Sequence, residues 1–244
     1  MARIDNLLTT ALKGLPDRPA ESAAAPVKKA YSEKMSQAIA AAFADELRQR
    51  GMKTALPAPP GTVGISGAER RLSGGIGAKK VDASWATEES GLIAGLSIKT
   101  INWRDSKTQN FQKNLTNRRG DMLFEAVTLH RRFPYAVLGG FFFLDWGAES
   151  DDTGKRRSTW ANAHQRLRLF TGRVDPADRE EQFERLYLVL VQATKFAAKL
   201  KVREVGKPDD DLDFDSILTD LVEQVVARNF DFYEIDATGK IATV

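Results

Sequence analysis

Apolar and polar residues alternate with a period of two along residues 79–85 and again along 92–101, and the rest of the chain is arranged around these two stretches. A period of two is the mark of a strand with one buried face. In the first stretch Val81, Ala83 and Trp85 share one face, and Asp82 and Ser84 share the other. In the second, Leu92, Ala94, Leu96 and Ile98 share one face, with Gly95, Ser97 and Lys99 opposite. Residues 87–91 (Thr-Glu-Glu-Ser-Gly) carry turn chemistry that joins the two as an antiparallel pair. With the tip there, Asp82 falls roughly opposite Ser97 and one side-chain step from Lys99.

The same reading extends along the chain. Ile4, Leu7, Leu8 and Leu12 predict a short amphipathic helix over 1–13, followed by a Pro- and Ala-rich linker to residue 26. Tyr31, Met35, Ala38, Ile39, Ala42, Phe43 and Leu47 recur at helical spacing over 27–50, with Gly51 as C-cap, and read as a packing face. A Pro-rich connector covers 52–64, a polar segment begins at Ser66, and the glycines of 74–77 form a turn. They match neither a Walker loop nor a dinucleotide fingerprint. A helix is predicted over 108–132, ended by Pro134. Residues 135–146 are a continuous apolar run of strand length and predict a central buried strand. Helices follow over 159–170, over 177–202 on a stripe through Phe183, Leu186, Leu190, Val191, Phe196, Ala197 and Leu200, and over 216–228. An edge strand is predicted near 232–235. The pattern divides into N-terminal helices and linkers (1–64), an α/β core (65–146) and a mainly helical C-terminal part (147–244).

Composition narrows the chemistry. The chain of 244 residues has no cysteine and two histidines, which argues against disulfides, thiolate sites and a histidine-rich zinc site. No apolar run is long enough to cross a membrane and no secretory leader is evident, so a cytoplasmic protein is expected. The net charge of +3 conceals an asymmetry. Residues 1–140 carry 21 basic and 13 acidic side chains, and residues 141–244 carry 15 and 20. The basic half contains Asp82 and Lys99, and a positive field there favours a polyanionic partner.

A hairpin that presents one Asp and one Lys can be an ordinary surface ion pair, which contributes little. It can also be a site, because a carboxylate holds a hard divalent cation and a lysine orients water or stabilises developing negative charge. In helix 108–132, Arg118, Asp121 and Glu125 stand on one face, available either to the hairpin or to an internal ion network. His130 at that helix end reads as structural, with general base as the alternative.

Asp82 followed by Ser97-Ile98-Lys99 resembles the signature of the PD-(D/E)xK restriction-endonuclease-like superfamily, an aspartate on one strand and E-x-K on the next. Val81 replaces the usual proline, and Ser97 stands where the second carboxylate is normally found. The resemblance covers about residues 65–145, and the order strand, strand, helix, strand agrees with it. It implies an α/β fold, a restriction-endonuclease-like mixed-sheet core flanked by helices, with added N- and C-terminal helices. It also implies a Mg2+-dependent DNA endonuclease, with Mn2+ as a substitute ion, in restriction or anti-phage defence. Asp82 would be the principal metal ligand, with Glu69 (on a helix before the first strand) or Glu125, less readily Asp121, as the auxiliary carboxylate. Lys99 would position water or stabilise the transition state, and Ser97 would supply a hydroxyl or backbone contact. Arg70, Arg71, Lys113, Arg118 and Arg119 are the phosphate-binding candidates. A homodimer or a nuclease subunit of a larger complex is expected. The competing expectation, carried by Ser97, is a catalytically inactive nucleic-acid-binding or assembly subunit.

Overall fold

The computed structural model describes residues 2–63 and 67–244. Residue 1 and residues 64–66, where the two expected connector segments meet, lie outside that range. Two helices open the chain, α1 (Arg3–Lys13) and α2 (Ala25–Gln49). They are followed by β1 (Arg70–Ser73), β2 (Ala78–Val81), β3 (Ala83–Thr87), β4 (Gly91–Ile101), α3 (Gln112–His130) and β5 (Val137–Asp145). The C-terminal portion holds α4 (Thr159–Leu167), β6 (Arg185–Ala193), β7 (Ala198–Glu204), α5 (Phe214–Arg228), β8 (Tyr233–Ile235) and β9 (Ile241–Thr243). Among the described residues no helix is long and apolar enough to cross a membrane.

The fold is mixed α/β. Strands β3-β4-β5-β6-β7 form a five-stranded sheet whose inner pairs, β4–β5 and β5–β6, are parallel and whose outer pairs are antiparallel. Residues 137–145 form the central strand because both faces are apolar, as parallel strands require. Phe141 and Phe143 enter a core shared with α1, α2 and α5, while Phe142 and Leu144 enter a second core shared with α3 and α4. The sheet therefore lies between two helical layers.

Four expectations are corrected. Residues 177–202 are not a helix. They fold as β6 and β7 with a turn over 194–197, so the C-terminal part is not mainly helical and completes the central sheet. Leu186, Leu188 and Leu190 face one core and Tyr187, Val189 and Val191 the other. A strand buried on both sides thus carries a helical stripe within its continuous apolar run. The stretch 79–85 is not one strand: β2 pairs only with β1, β3 belongs to the main sheet, and the chain bends at Asp82. Val81 accordingly enters the core beneath α3, while Ala83 and Trp85 enter the one beneath α2. A bulge at Ile93, between the pairs Trp85↔Ala94 and Ala86↔Leu92, likewise moves Leu92 off the face of Ala94 and Leu96. Ser84, expected to face outward, is fully buried.

Candidate active site

The turn pairs Thr87 with Gly91, and the bulge at Ile93 shifts the register by one so that the ladder ends at Ala83 with Leu96, leaving Asp82 and Ser97 as the next residues of the two chains. Because the backbone bends at Asp82, its carboxylate folds onto the neighbouring strand and accepts the Ile98 N–H at 2.6 Å. Lys99, near the C-terminal end of β4, points to the α3 side. Its Nζ lies 3.6 Å from Asp82 Oδ2 and 3.1 Å from Glu125 Oε2. Glu125 reaches it from the middle of α3, the helix that returns the chain from β4 to its parallel neighbour β5. Ligands of open α/β sheets collect at the carboxyl ends of parallel strands, and this cluster lies at such an end.

All three side chains are well withdrawn from solvent, at 17% exposure for Asp82, 14% for Lys99 and 5% for Glu125. Two carboxylates therefore share one ammonium. Burial raises the pKa of Asp82; Lys99 and the Ile98 N–H offset this in part, and Glu69 adds to the rise. Burial likewise raises Glu125, with Lys99 opposing and Asp82 reinforcing. Burial alone would lower Lys99, but Glu125 and Asp82 together outweigh it, so its pKa is raised and it remains an ammonium at neutral pH. Ser97 Oγ is buried without a hydrogen bond of good geometry, although it lies close enough to Glu125 to favour the charged carboxylate.

The cluster forms one wall of an open cleft of about 900 Å³ between α2 and α3. The cleft is also lined by Lys79, Lys80 and Glu69 from the β1–β2 hairpin and by Asn114, Asn117, Arg118 and Asp121 from α3. From α2 come Lys28, Ser32 and Ser36, spaced four apart, with Lys29, Glu33 and Gln37 beside them. That polar row was legible at i, i+4, i+8 in a helix read only for its apolar face. Lys79 and Lys80, also missed, follow from the hairpin that Gly74–Gly77 closes.

The remaining predicted residues separate. Glu69 is on no helix; it precedes β1 at the cleft edge, 3.8 Å from Lys80. Asp121 pairs with Arg118 at 3.2 Å at the exposed mouth, and Glu125 stays out of that pair, so the three do not form one surface network. Arg71 is exposed on the hairpin, whereas Arg70 turns inward and donates to the Thr54 carbonyl. Lys113 pairs with Asp105 at 3.0 Å, and Arg119 lies 5.8 Å from the Phe170 ring; neither lines the cleft.

His130 is buried, with Nδ1 3.0 Å from the Glu180 carbonyl and Nε2 3.4 Å from Glu184, and does not line the cleft. It belongs to a buried cluster in which Glu184 also binds Arg173, Arg228 and the Leu138 N–H. Among the described residues no three His, Cys, Asp or Glu side chains are grouped to hold a metal ion. Comparison of the chain with protein-family models, curated proteins and solved structures finds no match.

Proposed function

We propose that this protein is a metal-dependent DNA endonuclease of the restriction-endonuclease-like kind, with Asp82, Glu125 and Lys99 as its catalytic set. The observation that carries the reading is the convergence of these three residues, from β2–β3, α3 and β4, on one wall of a cation-edged cleft. Two buried carboxylates against one ammonium leave a local deficit of positive charge. Mg2+ typically takes one or two carboxylates and keeps several waters, so a site with two carboxylates suits it. Asp82 and Glu125 would hold the ion, and Glu125 would supply from the following helix the carboxylate that Ser97 lacks. When bound, such an ion neutralises phosphate charge and acidifies a water.

The residues of the chain supply the rest. Lys99, kept protonated by its neighbours, cannot accept a proton and acts by donating hydrogen bonds to the attacking water or the pentacovalent phosphorane. Hydrolysis adds water across a P–O bond, so the attacking water gives up one proton to solvent and the departing oxygen takes one from it, while Ser97 Oγ favours the charged form of Glu125. Glu69 acts from the rim. Because duplex cleavage engages two strands, a homodimer or a subunit of a larger restriction or anti-phage complex is the expected working form.

The test is cleavage of supercoiled plasmid and linear duplex with Mg2+ or Mn2+ by the wild type, Asp82→Ala and Lys99→Ala. Metal-dependent cutting lost in both variants supports the assignment; cutting retained in both refutes it. A second reading, a nucleic-acid-binding subunit without chemistry, draws on the direct contact of Lys99 with both carboxylates, which also describes a structural ion triad. It requires that Asp82→Ala bind DNA as the wild type does and that neither protein cut.

A further inference from the structure

The β1–β2 hairpin ends at Val81, one residue before Asp82, so whatever the hairpin holds is held beside the site. Its register sets Arg71 opposite Lys80 and Leu72 opposite Lys79. Arg71, Ser73, Ala78 and Lys80 form the outer face and are exposed, while Val81 is buried in the core beneath α3 and Leu72 packs against it. Like charges at directly opposed positions of an antiparallel pair repel. Among the described residues nothing relieves this pair fully: Arg71 makes no hydrogen bond or ion pair with any of them, and Lys80 has Glu69 at 3.8 Å.

The hairpin is also held in place. The Gly75 N–H donates to the Thr128 carbonyl at 2.8 Å, and a Cβ on Gly74 would come within 2.4 Å of the Thr128 carbonyl oxygen. Arg70 fastens its base to Thr54, and the Lys79 ammonium sits 4.7 Å above the Phe124 ring on α3. Repelling cations on a fixed two-stranded platform are prepared for an anion that brings its own spaced charges. Lys79, Lys80 and Arg118 continue the row into the cleft.

We propose that the outer face of this hairpin, centred on Arg71 and Lys80, binds the sugar–phosphate backbone of a DNA strand whose neighbouring phosphodiester enters the Asp82–Lys99–Glu125 cleft. This rests on the nuclease reading for the direction of the strand, but not for the binding itself. The planar guanidinium of Arg71 can take one phosphate through two hydrogen bonds, and Lys80 acts as a point charge on the next.

The test measures binding of a fluorescein-labelled DNA duplex by anisotropy, without divalent ions, over a range of NaCl concentrations. It compares the full chain with Arg71→Ala/Lys80→Ala, with Lys80→Gln alone as a milder variant, and thermal melts confirm folding. Each phosphate contact contributes about 0.9 to the slope of log affinity against log salt, so the double variant should lose about 2 and Lys80→Gln about 1. At low salt the double variant should bind at least about tenfold more weakly. A double variant with the wild-type slope and an affinity within twofold overturns the proposal. Equal weakening toward polyglutamate also overturns it, because the surface would then select negative charge and not a nucleic acid. A reduced slope in a protein that cuts no DNA with Mg2+ keeps the surface and removes the nuclease reading; cutting with an unchanged slope does the reverse.

Discussion

Lys99→Ala removes the one cation between two buried carboxylates and should be a stability variant before it is an activity variant. With 5% exposure at Glu125 and 17% at Asp82, the freed charges cannot be rehydrated fully. Breaking a buried pair in this way typically costs about 3–5 kcal/mol. The carboxyls have one escape, which is to take up a proton. A carboxyl whose folded pKa is raised above its unfolded value favours the folded state when protonated; that contribution is present at low pH and lost as pH rises through the folded pKa. Asp82 and Glu125 are raised already, and loss of Lys99 removes the main influence that lowers them.

The expected loss for Lys99→Ala is therefore about 3 kcal/mol at pH 8 and smaller at pH 5, where the freed carboxyls take up protons. The wild type should vary less over this range, because Lys99 itself, raised by its partners, keeps its stabilising charge until alkaline pH. Urea denaturation at the two pH values, with unchanged m, measures both losses. A divalent cation that takes the vacated charge position should restore about 1.4 kcal/mol at ten times its Kd, and more to the variant than to the wild type. A variant within about 0.5 kcal/mol of wild type at pH 8, or with equal losses at both pH values, would refute mutual confinement of the two carboxylates.

Three further outcomes follow from the same geometry. Glu125→Ala should lower metal-dependent plasmid cleavage by at least about 100-fold while Glu69→Ala stays within about tenfold, since of these two Glu125 touches Lys99 and Glu69 pairs with Lys80; the reverse ranking in a time course would reassign the second carboxylate. Glu184→Gln should destabilise by about 3–5 kcal/mol in urea because it leaves the buried Arg173 and Arg228 short of their counter-charge. Although burial raises the Glu184 pKa, His130 and Arg228 hold it down to about 2, so its contribution is present above the ordinary carboxyl range and is lost as pH falls toward that value; an acid-unfolding midpoint unchanged in the variant would contradict this. Gly140→Ala should cost about 1–3 kcal/mol, as the new methyl would lie 2.4 Å from both Leu186 Cδ2 and Met122 Cε, and a melting temperature equal to wild type would show that these side chains yield freely.

What the sequence disclosed depends on whether a signal was local. Antiparallel pairing of the two stretches needed only a turn and a period of two and runs from Thr87↔Gly91 to Ala83↔Leu96, but the register beside Asp82 also depends on the bulge at Ile93, which the alternation does not show. The reach of Glu125 to Lys99 followed from helical spacing once α3 was known to pack on the β4 face that carries Ser97, Lys99 and Ile101, and which carboxylate of the helix would be buried was not local information. Asp121, one turn earlier, remains 54% exposed because it stands at the mouth and not over the strand. The β6–β7 error has the opposite cause. Residues 186–191 are apolar at every position because two helical layers cover both faces of this interior strand, and in such a run periodicity cannot separate strand from buried helix. The alternation at Lys199, Lys201 and Arg203 against Leu200 and Val202 was the local signal that pointed to a strand, since it marks the edge β7 and, through a four-residue turn, its partner. The bend at Asp82 was least accessible of all. It is created by two sheets competing for one stretch of chain, and the flip of Val81 and Ala83 to opposite cores is visible only when both cores exist. That same flip turns the Asp82 carboxylate onto the Ile98 N–H, so the residue that breaks the strand pattern is the one the site depends on.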